Sequence, residues 1–238
     1  MTQPPPPPAP PPPPSPPPAG GSGAAPFTIG DAIGYGWNAY WRNVGPLVLI
    51  TLVILLVNVV FALITFAIDS FVVFPIDSFV ALSLIQIVVW VVGPILAMGL
   101  IRATLAVTRG ETPDVSMLFQ TDGLPVYLVA AILFGIGAGI GFSLCIIPGV
   151  IFATFFGFYG YFIVGEGEQN PIEALKRSQQ LVSGHFGTVL GLAVVLVLIN
   201  IVGALACGVG LLFTAGISAV SWAYAYRSLR GETVAPVT

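Results

Sequence analysis

Six apolar stretches, each near the twenty residues that carry a helix across a hydrocarbon core, alternate with short polar segments along this chain. They lie approximately at 45–67, 79–101, 124–143, 146–165, 186–206 and 208–226. The third and fourth are joined by a turn around Pro148-Gly149, and the fifth and sixth by Cys207-Gly208. A shorter amphipathic segment precedes each pair. The first starts at Thr28, with Asp31 three residues on, and puts Ile33, Trp37, Tyr40, Trp41 and Val44 on one face. The second follows Thr112-Pro113 and carries Val115, Leu118 and Phe119. The third has Asn170 as cap, Pro171 at the first helical position, Glu173 completing a capping box and Gly184 as the stop. The pattern predicts an all-α membrane protein of six transmembrane helices, built as three helix–hairpin units whose short helices lie in the headgroup plane.

Within the spans, Gly135, Gly137, Gly139 and Gly141 form two overlapping small-xxx-small pairs that predict close helix packing. Gly93-Pro94 predicts a kink in the second span, because proline removes a backbone hydrogen bond. Two identities support repetition. Arg109-Gly110-Glu111-Thr112 recurs as Arg230-Gly231-Glu232-Thr233. A gapless shift of 142 residues lays span one on span five, matching Asn58 with Asn200 and Gly45 with Gly187. The middle unit matches weakly, so twofold repetition is better supported than threefold.

Residues 1–26 are a separate region. Fourteen are proline, with no charge or aromatic ring, so the sequence predicts a disordered cytoplasmic arm of partly polyproline-II character. It reads either as a docking arm for a proline-reading partner or as a solvated spacer. The membrane domain then runs over 27–231 and a short cytoplasmic tail over 232–238.

Composition fixes the solvent and charge fixes the orientation. Only 7% of residues are charged, 56% are hydrophobic, and the mean hydropathy is +0.99, too apolar a surface for water. All seven basic residues (Arg42, Arg102, Arg109, Lys176, Arg177, Arg227 and Arg230) fall in alternate gaps between the spans. By the positive-inside rule this predicts a bacterial cytoplasmic (plasma) membrane protein with both termini in the cytoplasm. Ten aromatic residues, among them Tyr35, Trp37, Trp41, Tyr127, Tyr161 and Tyr226, lie near the same ends and suggest an interfacial belt. No loop is polybasic and the net charge is -3, which argues against nucleic acid as a partner.

No Asp, Glu, His, Lys or Arg lies inside a predicted span, which disfavours ion-coupled transport and intramembrane hydrolysis. The single histidine, His185, falls at a span edge, and no cluster has metal-ligand spacing, so no catalytic residue, metal or cofactor is expected. Asn58 and Asn200 lie near the middle of spans one and five. They read first as interhelical hydrogen-bonding groups and second as ligand contacts, with Gln86 in span two as a candidate partner. Cys145 and Cys207 fall at turns on the outer face, either bridged or as two free thiols.

The run Leu144-Cys145-Ile146-Ile147-Pro148-Gly149, an aromatic span, and then Pro171-Ile172-Glu173-Ala174-Leu175-Lys176-Arg177-Ser178 resemble the YciC-like multi-span membrane proteins. These include the membrane region beside some glycerophosphodiester phosphodiesterase domains. The opening Asp31-Ala32-Ile33-x-Tyr35-Gly36-Trp37 behind a polyproline arm is similar to actinobacterial proline- and glycine-rich integral membrane proteins. The resemblance implies six spans in the cell membrane and no agreed activity; no phosphodiesterase domain is present. Two functions follow as expectations. The first is a non-enzymatic scaffold or accessory subunit of the cell envelope, with the lipid bilayer and a protein that reads the arm as partners. The second is a transport or lipid-handling protein for a neutral or amphipathic molecule.

Overall fold

The structure, a computed structural model, describes residues 26–71, 75–206 and 208–237. The proline-rich arm, apart from Pro26, lies outside the described residues, as does Cys207. The described residues form helices and no strand: α1 (Ile29–Arg42), α2 (Val44–Phe71), α3 (Pro75–Arg109), a 3-10 helix (Val115–Phe119), α4 (Leu124–Leu144), α5 (Ile146–Phe156), α6 (Tyr159–Glu166), α7 (Pro171–Ser183), α8 (Phe186–Leu205) and α9 (Gly210–Leu229).

Among the described residues, five stretches are long and apolar enough to cross a membrane: Val44–Ile68, Ser83–Arg109, Leu124–Leu144, Ile146–Glu166 and Phe186–Leu205. At 20 residues, α9 has the length, about 30 Å. Its hydropathy is lowered by Thr214, Ser218, Ser221 and its tyrosines. It is enclosed by other helices instead, with Gly216, Ile217, Val220, Ser221, Ala223, Ala225 and Tyr226 all buried. Polar and small residues suit such a helix because its neighbours are protein.

The local signals at helix ends work as the spacing predicts, except that Glu173 does not close the expected capping box at α7, where the Asn170 N–H donates to the Glu168 carboxylate at 3.0 Å instead. At the start of α1, the Thr28 hydroxyl and backbone N–H both donate to the Asp31 carboxylate, at 2.7 and 2.9 Å, and the Asp31 N–H donates back to the hydroxyl. The Thr28 hydroxyl holds the Asp31 carboxyl below its usual range. At α7 the Asn170 side chain accepts from the N–H groups of Ile172 and Glu173. The repeated Arg-Gly-Glu-Thr motif is a repeated helix stop. Gly110 and Gly231 adopt φ of +84° and +69°, and the next residues, Glu111 and Glu232, donate back to Ala106 and Arg227, each at 2.9 Å. Only glycine takes that left-handed geometry without strain. The 142-residue offset also holds in space: Thr28 and Asn170 cap their helices, and α2 and α8 begin at Val44 and Phe186.

The predicted span 146–165 is not one continuous helix. It breaks at Gly157-Phe158 into α5 and α6, where a Cβ on Gly157 would stand 2.8 Å from the Ala153 carbonyl oxygen. Backbone groups freed at membrane depth need partners from the protein. Ser178 of α7 supplies them: its hydroxyl accepts from the Phe158 N–H at 3.0 Å and donates to the Phe155 carbonyl at 2.9 Å. Ala174, Ser178 and Val182, one turn apart, are all fully buried, and α7 packs on α4, α5 and α6. This helix is therefore packed into the bundle wall along its Ala174–Ser178–Val182 face.

The other two short helices dock in the same way. A Cβ on Gly36 of α1 would meet the Ser221 hydroxyl of α9 at 2.0 Å, and one on Gly216 of α9 would meet the Tyr40 ring at 2.2 Å. The Tyr40 hydroxyl donates to the Leu212 carbonyl at 2.8 Å. In the 3-10 helix, Leu118 sits where a Cβ on Gly99 of α3 would fall, 2.3 Å from its Cα. Each unit's short helix thus packs on the second hairpin helix of the preceding unit: the 3-10 helix on α3, α7 on α5 and α6, and α1 back on α9. The three units close into a ring.

A further expectation changes. Of the predicted aromatic belt, Trp37 and Trp41 are exposed, but Tyr40, Tyr127, Tyr159, Tyr161 and Tyr226 are buried. Their rings find one another, with Tyr161 on Tyr226 at 4.9 Å and Phe158 on Trp222 at 4.7 Å between centroids. In α4, Gly137 meets Phe152 and Gly141 meets Gly149 of α5, Gly135 meets Trp90 of α3, and Gly139 faces open space. Helix α3 continues through Gly93-Pro94 without interruption.

Replacing Ser178 by alanine leaves the Phe158 N–H without a partner, and an unsatisfied buried donor costs about 1–3 kcal/mol. Denaturant unfolding in mixed micelles should show a loss of that size for S178A, and little loss for S183A, whose hydroxyl is exposed and bonds within its own helix.

Candidate functional site

Charge collects at the end of the bundle where α3, α6 and α9 finish and α7 begins. Glu166, the last residue of α6, is the centre. It pairs with Arg177 of α7 at 2.6 Å and with Arg230 beyond α9, and accepts from the Tyr226 hydroxyl at 2.6 Å. Glu168 also pairs with Arg177, at 3.3 Å, and Glu232 pairs with Arg227 and with Arg230, both at 3.1 Å. Arg177 and Arg230 lie over the Phe162 ring, 4.8 and 5.7 Å from its centroid. Arg227 donates to the Thr108 carbonyl at 2.7 Å, and the Ala235 N–H donates to the same oxygen. Three carboxylates and three guanidiniums tie α3, α6, α7, α9 and the tail together with balanced charge. Arg102 fastens the next segment separately, donating to the carbonyls of Gln120 and Asp122.

Beneath this lattice the stacked rings of Phe158, Tyr161, Trp222 and Tyr226 form a solid block. Past the block, an open-sided chamber of about 430 Å³ lies among α3, α8, α9 and the α5–α6 break. Its lining includes Leu100 and Ile101 of α3, Gly157 at the break, Tyr161, Leu196 of α8 and Trp222. The wall is almost wholly apolar and contains no charged residue. The size is that of a small-molecule site, and the helix break at Gly157 opens it. The lattice of ion pairs and rings thus stands at one end, with the apolar chamber behind it.

The two asparagines share a register and have different surroundings. Asn200 of α8 donates to Leu196 O at 2.8 Å and to the Ser218 hydroxyl of α9 at 2.7 Å, beside the cavity. Asn58 of α2 is exposed and donates only to its own Ile54 carbonyl, at 2.8 Å. Gln86 is exposed and joins neither. Cys145 is exposed at the α4–α5 turn, and the bridge to Cys207 lies outside the described residues. His185 marks the start of α8. Among the described residues no group of three His, Cys, Asp or Glu side chains gathers for a metal ion.

Sequence reasoning missed Ser178, Ser218 and the chamber. The legible signals were a glycine in mid-span at 157 and a small-residue stripe, Ala174, Ser178 and Val182, on a helix otherwise rich in charge.

An all-helical fold with five helices long and apolar enough to cross a membrane points to a membrane protein. The chain belongs to the family defined by DUF7847, a domain of unknown function, which matches residues 115–235. It is 30% identical over 233 residues to the uncharacterized proteins Rv2560 of Mycobacterium tuberculosis and Mb2590 of Mycobacterium bovis. Each match covers 87% of this chain and 70% of the relative. Neither the family nor these relatives carries the YciC-like or phosphodiesterase description that the residues resemble. No solved structure matches the chain.

Glu166→Gln removes the shared partner of Arg177 and Arg230. A net loss of roughly 1–3 kcal/mol is expected for a charge-assisted, partly buried group. Thermal unfolding should show it, and the paired Glu168→Gln change, which frees only one contact to Arg177, should cost less.

Proposed function

We propose that this chain is a six-span, non-enzymatic protein of the bacterial cytoplasmic membrane, with both termini cytoplasmic, that holds the apolar part of a neutral or amphipathic molecule. The chamber carries this reading. It is walled by helices from all three units, so its shape depends on ring closure, and its lining admits hydrocarbon. The ion-pair lattice and ring block stand between it and the charged end. The sixth span is α9, whose polar residues turn inward. The orientation rests on the basic residues, which all fall on the side where α3 and α9 end. The scaffold reading rests on the proline-rich arm, almost all of it outside the described residues; the chamber gives lipid handling the firmer support.

Photoreactive acyl lipids incorporated into membranes containing the full chain test it. Crosslinks should map to 97–101, 193–196 and 218–222. Ala219→Phe, which fills the chamber, should reduce them about tenfold, in keeping with a ring's worth of lost contact. Labelling confined to the outer helix faces and unchanged in A219F would exclude the chamber as a site.

Orientation is checked separately with single cysteines in a background lacking Cys145 and Cys207. A cysteine at Ser70 should react with an impermeant reagent from outside, and one at Thr112 only after the membrane is opened. The reverse pattern would invert the protein.

A further inference from the structure

Residues 4–18 hold thirteen prolines and no charge. A proline run offers carbonyl acceptors and ring faces but no backbone N–H. In the polyproline-II form it makes no internal hydrogen bonds, so its carbonyls are open to outside donors. A surface that reads such a segment needs aromatic walls and hydroxyl or N–H donors.

That combination occurs at the seam where α1 docks on α9. A groove of about 440 Å³ runs there between Pro26, Tyr35, Tyr224, Ser228 and Pro236. The two tyrosine rings stack at 4.8 Å between centroids, and the buried Phe27 meets Tyr224 edge-on at 6.2 Å. The tail that carries Pro236 is fixed by the Ala235 N–H, which donates to the Thr108 carbonyl at 2.9 Å. Among the described residues the hydroxyls of Tyr35, Tyr224 and Ser228 have no hydrogen-bond partner, so three donors remain on offer. Glu232, also in the wall, is taken up by Arg227 and Arg230, which suits an occupant without charge.

The position of Pro26 decides which proline segment fits. It is the first described residue and already forms part of the wall. Between it and Pro18 stand Ala19-Gly20-Gly21-Ser22-Gly23-Ala24-Ala25, the composition of a linker that spans about 15 Å. A tether this short places the prolines beside the groove at a roughly millimolar effective concentration, so the chain's own segment outcompetes a dilute free one of equal affinity. We infer that residues 4–18 fold back and seat in the Tyr35–Tyr224 groove of the same chain, with proline rings against the tyrosines and proline carbonyls accepting from their hydroxyls. The groove shares no lining residue with the chamber and does not depend on what the chamber holds.

The test takes the full chain at one copy per nanodisc, without Cys145 and Cys207, and with Ser15→Cys carrying a benzophenone. Crosslinks should map to 35 and to 224–236. Tyr35→Ala should lower their yield about tenfold, the scale of one lost aromatic contact. Tyr35→Phe, which keeps the ring and loses the donor, should lower it less. A second measurement needs no groove variant to fold. A labelled peptide of residues 4–18 should bind, by anisotropy, to the full chain whose thirteen arm prolines are replaced by serine. It should bind about tenfold more weakly to wild type, whose groove is filled. Crosslinks spread over lipid and other helices, crosslinks that form only with two copies per disc, or no difference in peptide binding between the two chains would each overturn the assignment.

Discussion

A single hydroxyl, that of Ser178, holds the break in the fourth span together, and much of the bundle follows from it. Backbone N–H and carbonyl groups in a low-dielectric interior must be paired, and a helix interrupted at Gly157 has lost its own partners. Ser178 donates to one side of the gap and accepts from the other. It does so only if α7 lies flush against α5 and α6, and the neighbouring Ala174 and Val182 are small enough to allow that. With α7 seated, Arg177 is carried to Glu166, and the lattice that ties α3, α6, α9 and the tail can close. The same break leaves room for the chamber.

Ring closure generalises that contact. Each short helix meets the preceding unit at a point where one side chain is missing or small: Gly36 and Gly216 for α1 on α9, Gly99 for the 3-10 helix on α3, and Ser178 with Ala174 for α7. Lipid gives helices no hydrophobic reason to prefer one another, so close approach and hydrogen bonds have to supply the preference. Small residues provide the first, and Tyr40, Ser178 and Asn200 provide the second. Helix α9 is enclosed by its neighbours whereas most of α2 is exposed, which explains why α9 tolerates serine and threonine while α2 is almost uniformly apolar.

Repetition is most instructive where it fails. The helix stops, the caps and the α2 and α8 start points repeat faithfully because they answer to backbone geometry, which is the same in each unit. Side-chain partners repeat less well because each unit has different neighbours. Asn200 donates to the Ser218 hydroxyl and Asn58 only to its own Ile54 carbonyl, although the two asparagines align without a gap.

The sequence alone determined the membrane-length apolar stretches, the capped short helices before each hairpin, the repeated Arg-Gly-Glu-Thr stops and the one-sided distribution of basic residues. These are local or compositional: a cap, a left-handed glycine or twenty apolar residues act over a few turns, and their signatures lie within a short window of chain. Only the tertiary structure decided that the span from Ile146 is broken, that α7 mends it, that half of the supposed aromatic belt is buried, and which of two equivalent asparagines bonds to a neighbouring helix. Those outcomes join residues far apart in the chain, such as Glu166 with Arg230 and Tyr40 with Leu212. In a chain this apolar, hydrophobic periodicity does not distinguish a face turned to protein from one turned to lipid. That distinction came from volume and hydrogen bonding, and both are settled only when the three units close on one another.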